Sequence, residues 1–228
     1  MMMALMYIVL TVGIYWGAKR LHRLKPVLLL SPLIVTPVIV IMILVLGKIP
    51  YQSYNTGGHW LSSMVGPATI ALAVPMYKNA AIMKKHALEI IAGVLSGWIV
   101  GMMAALLFSR SLKLSDSLID SLLLRSTTTP IALAISDMIG GISTLTAIFV
   151  LITGILGTII GPLVIRMARI RSDIAKGVLM GSSAHSAGAH KAFEFGLVPG
   201  SIASIAMIVT AFISLALLPW LTGLFMHG

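Results

Sequence analysis

The chain has 228 residues, 58% of them hydrophobic and 10% charged, with a mean hydropathy of +1.05. A soluble domain of this size carries roughly a quarter charged residues, because water-facing surface needs charge, so most of this surface faces lipid. Lys and Arg outnumber Asp and Glu by 16 to 6. In the short loops of a membrane protein that excess orients helices toward the cytoplasm and does not mark a nucleic-acid binder. The absence of cysteine excludes disulfides, thiolate metal sites and thiol catalysis.

Met1–Ala18 is apolar, lacks a basic start and runs into Lys19 and Arg20. That predicts a first anchoring helix and no cleavable signal peptide. Charge-free runs follow at Pro26–Gly47, Ile90–Ser109, Met138–Ile165 and Phe195–Gly228. Each reaches the roughly 20 residues needed to cross a hydrocarbon core of about 30 Å. The fold class is therefore an all-α polytopic membrane protein, one integral membrane domain over residues 1–228.

Three basic blocks punctuate the chain: KRLHRLK (19–25), KNAAIMKKH (78–86) and RMARIRSDIAK (166–176). Placing all three in the cytoplasm sends 27–47 out, returns 61–80, sends 87–109 out and brings 142–165 in. Residues 112–141 then start and end outside. They predict a re-entrant pair of half-helices meeting at RSTTTP, where Pro130 and adjacent hydroxyls break helical continuity.

A second pattern agrees. GPATIALAVPMYKNA at Gly66 and GSSAHSAGAHKAFEF at Gly181 are small-residue segments, each preceded and followed by a long apolar helix. The offset of 115 residues makes two units, about 27–109 and 142–226, on either side of the re-entrant segment. With the path above they have opposite orientation. Inverted repeats with interrupted helices mark secondary transporters, whose sites lie where the broken helices meet. The glycine stripes Gly93, Gly97, Gly101 and Gly157, Gly161 read as close helix packing.

Three segments are candidates for a site. In GSSAHSAGAH, the polar Ser182, Ser183, His185 and Ser186 are costly in hydrocarbon unless they face protein or a water-filled cavity. A helix break there would offer free backbone N–H groups to a small anion. A tightly packed polar crossing, with His185 bonded to a neighbour, is the alternative. In RSTTTPIA, Thr127, Thr128, Thr129 and Pro130 open a half-helix whose N-terminus suits a carboxylate; ordinary capping is the alternative. GPATIALAVPMY contributes Pro67 and Pro75, which remove backbone donors or merely kink the helix. Asp137 and Glu194 lie beside the polar breaks and are candidate proton carriers, although Glu194 also has the spacing to pair with Lys191. Asp116, Asp120, Asp173 and Glu89 read as solvated.

No enzyme is expected. Gly181-Ser182-Ser183-Ala184-His185 lacks the final glycine of a nucleophile elbow. His185 and His190 are five residues apart and so do not share a helix face as paired metal ligands would. No metal or other cofactor is called for.

GPATIALAVPMY, then TTTPIALAIS with GGIS, then Gly-Ser-Ser-x-His-x-x-Gly-x-x-x-x-x-Glu, together resemble the LrgB/CidB family of bacterial inner-membrane proteins from about Ser31 to the end. The motif carries over to Thr128, Thr129 and Pro130, and to Gly181, His185, Gly188 and Glu194. The chain departs from the family pattern at Ser182 and Ala189, where threonine is usual, and at Lys191, where arginine is usual. The resemblance implies one of two roles. The first is an antiholin-like modulator of murein hydrolase activity. The second, from the plastidal glycolate/glycerate translocator and bacterial pyruvate carriers, is a carrier of small 2-hydroxy or 2-oxo monocarboxylates. The expected partners are such a carboxylate, the lipid bilayer, a second copy in a homo-oligomer (a dimer) and a small LrgA-like membrane protein, with no nucleic acid.

Overall fold

The computed structural model describes residues 2–24, 30–71 and 73–225, without the side chains of 65, 68, 69, 73, 75, 76, 224 and 225. The described residues form helices and no strand. Four helices are long and apolar enough to cross a membrane: Met2–Leu24, Ala87–Ser111, Ser143–Met167 and one beginning at Leu197. The chain divides into two compact units, 1–71 and 72–228.

The first unit holds α1 (Met2–Leu24), α2 (Pro32–Leu46), α3 (Tyr51–Ser63) and α4 (Val65–Ala71). α1 continues into the first basic block as far as Leu24, a stretch which the sequence reading had placed in a loop. Lys and Arg are good helix formers, and their cations lie over aromatic rings, Lys19 6.0 Å from Tyr15 and Arg20 5.7 Å from Trp16. Rings and cations of this kind belong at a membrane interface. α3 runs antiparallel to α1, with Gly57 against Tyr7 and Ala4, and Tyr54 bonded to Thr11 at 3.0 Å. Over the expected return helix 61–80 the described residues show turns at Met64, three residues before Pro67, and at Asn79.

The second unit holds α5 (Ala73–Lys78), α6 (Ala80–Lys85), α7 (Ala87–Ser111), α8 (Asp116–Leu123), α9 (Thr129–Ile139), α10 (Ser143–Met167), α11 (Asp173–Ala192), a 3₁₀ turn at Phe193–Phe195 and α12 (Leu197–Phe225). α8 and α9 are the arms of the re-entrant hairpin that the sequence predicts, joined through 124–128. Pro130 lies in the first turn of α9, where its missing N–H is harmless. The hairpin inserts deeply: Arg125 Nη2 donates to the Gly101 carbonyl at 2.8 Å. Gly101 lies ten residues inside the end of α7, about 15 Å along its axis. The open end closes where the Ile142 N–H donates to Ser121 Oγ at 2.7 Å.

α11 is a second hairpin. Its helix breaks at Ala184 (φ −126°, ψ 17°) and His185 (φ 41°, ψ −130°). Past the break the chain doubles back, so that Gly188 sits directly against the Met180 carbonyl and Ala192 packs with Ile165 and Met180. In a straight helix residues 180 and 188 would be about 12 Å apart. The two hairpins enter from opposite ends of the unit.

Contact pairs fix the helix directions. Gly93 faces Val178 and Gly97 faces Ser182, so α7 runs parallel to the first arm of α11. Ile90 and Val94 pack with Ile202 and Ala206, and Trp98 reaches Ser214, so α12 is parallel to α7. α10 is antiparallel to that arm: Gly161 meets Met180, Gly157 meets Ala184 and Gly154 meets His185. Opposite orientation thus appears between α7–α8–α9 and α10–α11, whose elements start at 87 and 143 and at 116 and 173, with α9 from 129 matched to the part of α11 beyond its break at 184–185. The two helices matched by the 115-residue offset, α7 and α12, run the same way. Lys84, Arg169 and Arg171 lie at one end of the unit and Lys113 at the other.

Candidate functional site

A cavity of about 610 Å³ opens inside the second unit. It follows α7 from Glu89 to Met102, about 20 Å of helix. Glu89, Ser172 and Ala175 line its shallow end and are exposed at the basic end of the unit. The deep end is made by the first hairpin tip and its neighbours: Arg125, Thr127, Ser214, Trp98, Met102 and Leu123.

The elements explain this placement. Gly93, Gly97 and Gly101 leave one face of α7 without side chains, so α11 and the hairpin tip come close without filling the space. A Cβ at Gly97 would stand 3.7 Å from Ser182 Oγ, and one at Gly101 3.7 Å from Arg125 Nη2. The stripe read as packing is here a cavity wall as well. Gly157 and Gly161 are packing alone, since a Cβ at either would overlap Ala184 or Met180.

Arg125 dominates the electrostatics. A guanidinium has five N–H donors and no acceptor. One bond is made, to Gly101, and among the described residues no carboxylate pairs with it. An arginine at membrane depth is costly unless water, a protein dipole or an anion solvates it. Beside it, Trp98 Nε1 donates to Ser214 Oγ at 2.9 Å, and Thr127 Oγ1 donates to the same oxygen at 3.1 Å.

Of the residues expected from the sequence, Thr127, Ser182 and Ser183 line this cavity. Thr128, Thr129 and Pro130 continue into α9, with Thr129 and Pro130 exposed. Gly181 packs on Ala203 and Gly188 on Met180. His185 is buried at the second hairpin tip, Nε2 donating to the Val150 carbonyl at 2.9 Å and Nδ1 3.2 Å from Ser186 Oγ. Ser186 is exposed. Glu194 is exposed and pairs with Lys191 at 2.6 Å, and Asp137 is exposed and accepts from Ser143. Pro67 is an exposed residue of the first unit, and the side chain of Pro75 lies outside the described residues.

The sequence reading passed over Arg125, Ser96, Trp98, Thr153 and Ser214. For Arg125 a signal existed: a lone cation inside a membrane-depth segment is a site candidate by default. The others become visible only when α7, α10 and α12 are brought together. Asp120, expected at a solvated helix end, is 1% exposed, because α8 is an inserted hairpin arm and not a surface turn.

Membrane-length helices around two broken ones define a multi-pass membrane protein. The chain belongs to the LrgB-like family, whose model matches residues 11–224, reaching upstream of Ser31 into α1. It is 47% identical over 221 residues to YwbG of Bacillus subtilis, an uncharacterized protein, covering 97% of this chain and 98% of that one. It is 37% identical to YxaC of the same organism, also uncharacterized, over 91% and 90% of the two chains. The holin-like protein CidB of Staphylococcus aureus is 36% identical over 97% of each. No solved structure matches.

Proposed function

We propose that the protein is a secondary transporter of small 2-hydroxy and 2-oxo monocarboxylates, the glycolate, glycerate, lactate and pyruvate class. It works across the bacterial inner membrane by alternating access and is coupled to protons. The observation that carries this reading is Arg125, a cation with no carboxylate partner among the described residues, at the deep end of a hydroxyl-lined cavity. A guanidinium matches a carboxylate in charge and in fork geometry. Two hairpins entering from opposite ends are what alternating exposure of one central site requires. The cavity reaches the basic end of the unit, which is the cytoplasmic end by the charge rule, so the described conformation is inward-facing.

Uptake by the purified protein in liposomes tests the reading. Saturable net entry of labelled glycolate, lactate or pyruvate is expected, with accumulation when the interior is alkaline. Glu194, with Asp137 second, is the proposed proton carrier, so Glu194→Gln should keep exchange and lose accumulation. Retained accumulation would leave Glu194 as the partner of Lys191 only.

The holin-like name of the 36%-identical relative supports a second reading, an antiholin-like modulator of murein hydrolase export acting through membrane assembly. No entry of any acid above protein-free liposomes would favour it.

A further inference from the structure

We infer that Ser182 selects hydroxy acids over oxo acids in this cavity. The inference rests on the transport reading above and names which members of the class fit.

The cavity has a donor pole and an acceptor pole. At the donor pole stand the remaining N–H groups of Arg125 and the hydroxyl of Ser214. A hydroxyl has two acceptor sites and one hydrogen. Ser214 Oγ accepts from Trp98 Nε1 at 2.9 Å and from Thr127 Oγ1 at 3.1 Å. Both lone pairs are used, and its hydrogen has no protein acceptor among the described residues. Ser214 is 2% exposed, and the space beside it is the cavity it lines. Whatever binds there must accept.

The opposite wall is reversed. Ser182 Oγ donates to the Val178 carbonyl at 2.7 Å, Ser183 Oγ to Leu179 at 2.6 Å and Ser96 Oγ to Gly93 at 3.1 Å. Each hydroxyl has given its one hydrogen to its own helix, as serines in membrane helices do, and turns only lone pairs outward. Ser96 and Ser183 are exposed, whereas Ser182 is partly buried and faces Gly97. Gly97 lies one turn before Gly101, the anchor of Arg125. Positions i and i+4 stand about 6 Å apart on a helix face, so guanidinium and Ser182 oxygen are separated by about one helical turn. Two hydrogen bonds of about 2.8 Å span that gap when they are not collinear, so an acid of two or three carbons bridges it with a carboxylate oxygen and its C2 oxygen side by side.

Such an acid has one orientation. Its carboxylate is attracted to Arg125 and repelled by the serine lone pairs. A 2-hydroxyl can then donate to Ser182, while a 2-oxo oxygen sets lone pair against lone pair or forces the 2.7 Å bond to Val178 to break. An acid with no oxygen at that carbon leaves Ser182 unmet. One good hydrogen bond against an unmet contact is a factor of about five to ten.

Competition against labelled lactate uptake tests this. In the parent, lactate and glycolate should inhibit at concentrations about fivefold to tenfold lower than pyruvate or propionate. Ser182→Ala and Ser182→Cys, which remove or weaken the acceptor, should bring the lactate-to-pyruvate ratio close to one, and Ser182→Thr should restore it. Pyruvate matching lactate in the parent, or an unchanged ratio in Ser182→Ala and Ser182→Cys, would overturn the assignment while leaving transport intact. Absence of uptake of every acid would overturn the transport reading instead. Stabilisation of the purified protein against heat by lactate and pyruvate then decides Ser182: it stands if lactate protects at lower concentration, and falls if it does not.

Discussion

The two hairpin tips look alike in sequence and differ in structure. At 124–128 the polar groups point into space: Arg125 makes one bond of its five, and Thr127 orients Ser214 at the cavity wall. At 184–185 they are consumed. His185 spends Nε2 on the Val150 carbonyl, and Gly154, Gly157 and Gly188 bring the neighbouring backbones into contact around it. A helix break at membrane depth is thus not in itself a binding site. What decides is whether the protein has already used the hydrogen-bonding groups that the break exposes.

The largest effect should come from the first tip. Arg125→Ala removes a charge-assisted contact worth about 1.5–3 kcal/mol, so the apparent affinity for a transported monocarboxylate should fall roughly tenfold to a hundredfold. Arg125→Lys should recover only part, since an ammonium cannot bond both carboxylate oxygens in a plane. Concentration dependence of uptake measures both. Parent-like affinity in Arg125→Ala would remove the distinction between the tips.

Next come the glycine faces around them. Gly157→Ala puts a Cβ into Ala184 and should destabilise the protein by about 1–3 kcal/mol, as overpacking does. Gly97→Ala makes an ordinary 3.7 Å contact with Ser182 Oγ; it should melt near the parent temperature and weaken uptake by narrowing the cavity. Thermal unfolding in detergent compares them, and equal melting temperatures would contradict a packed second tip beside an open first one.

A smaller effect sharpens the second tip. His185 at φ 41°, ψ −130° occupies backbone space that favours glycine. His185→Gly and His185→Ala both lose the bond to Val150, but only glycine relaxes the backbone. The glycine variant should be the more stable by about 1 kcal/mol. A more stable alanine variant would mean that the break itself carries no strain.

Much of this was legible in the chain. Charge-free length gave the long helices at 87–111, 143–167 and from 197, whereas the run 26–47 holds, among the described residues, the 15-residue α2; Pro130 behind three threonines gave the first hairpin, because a missing N–H and a fixed φ act locally. The density of small residues at 181–190 gave the second break, since only small side chains let two backbones meet. That Arg125 belongs to the site was also there to read, as a cation in an apolar setting. Asp120 was not, because its burial depends on what α8 is inserted between.

Local chemistry in the sequence determined where helices start, break and cross lipid. Which polar groups remain available was decided only by the tertiary structure, because a hydroxyl or imidazole turns toward a cavity or spends its hydrogen according to what packs beside it. Ser182 and His185 sit three residues apart in one small-residue segment, yet Val150 of α10 closes off one and Gly97 of α7 leaves room before the other. Those neighbours come from helices 35 and 85 residues away in the chain, beyond the reach of any local pattern.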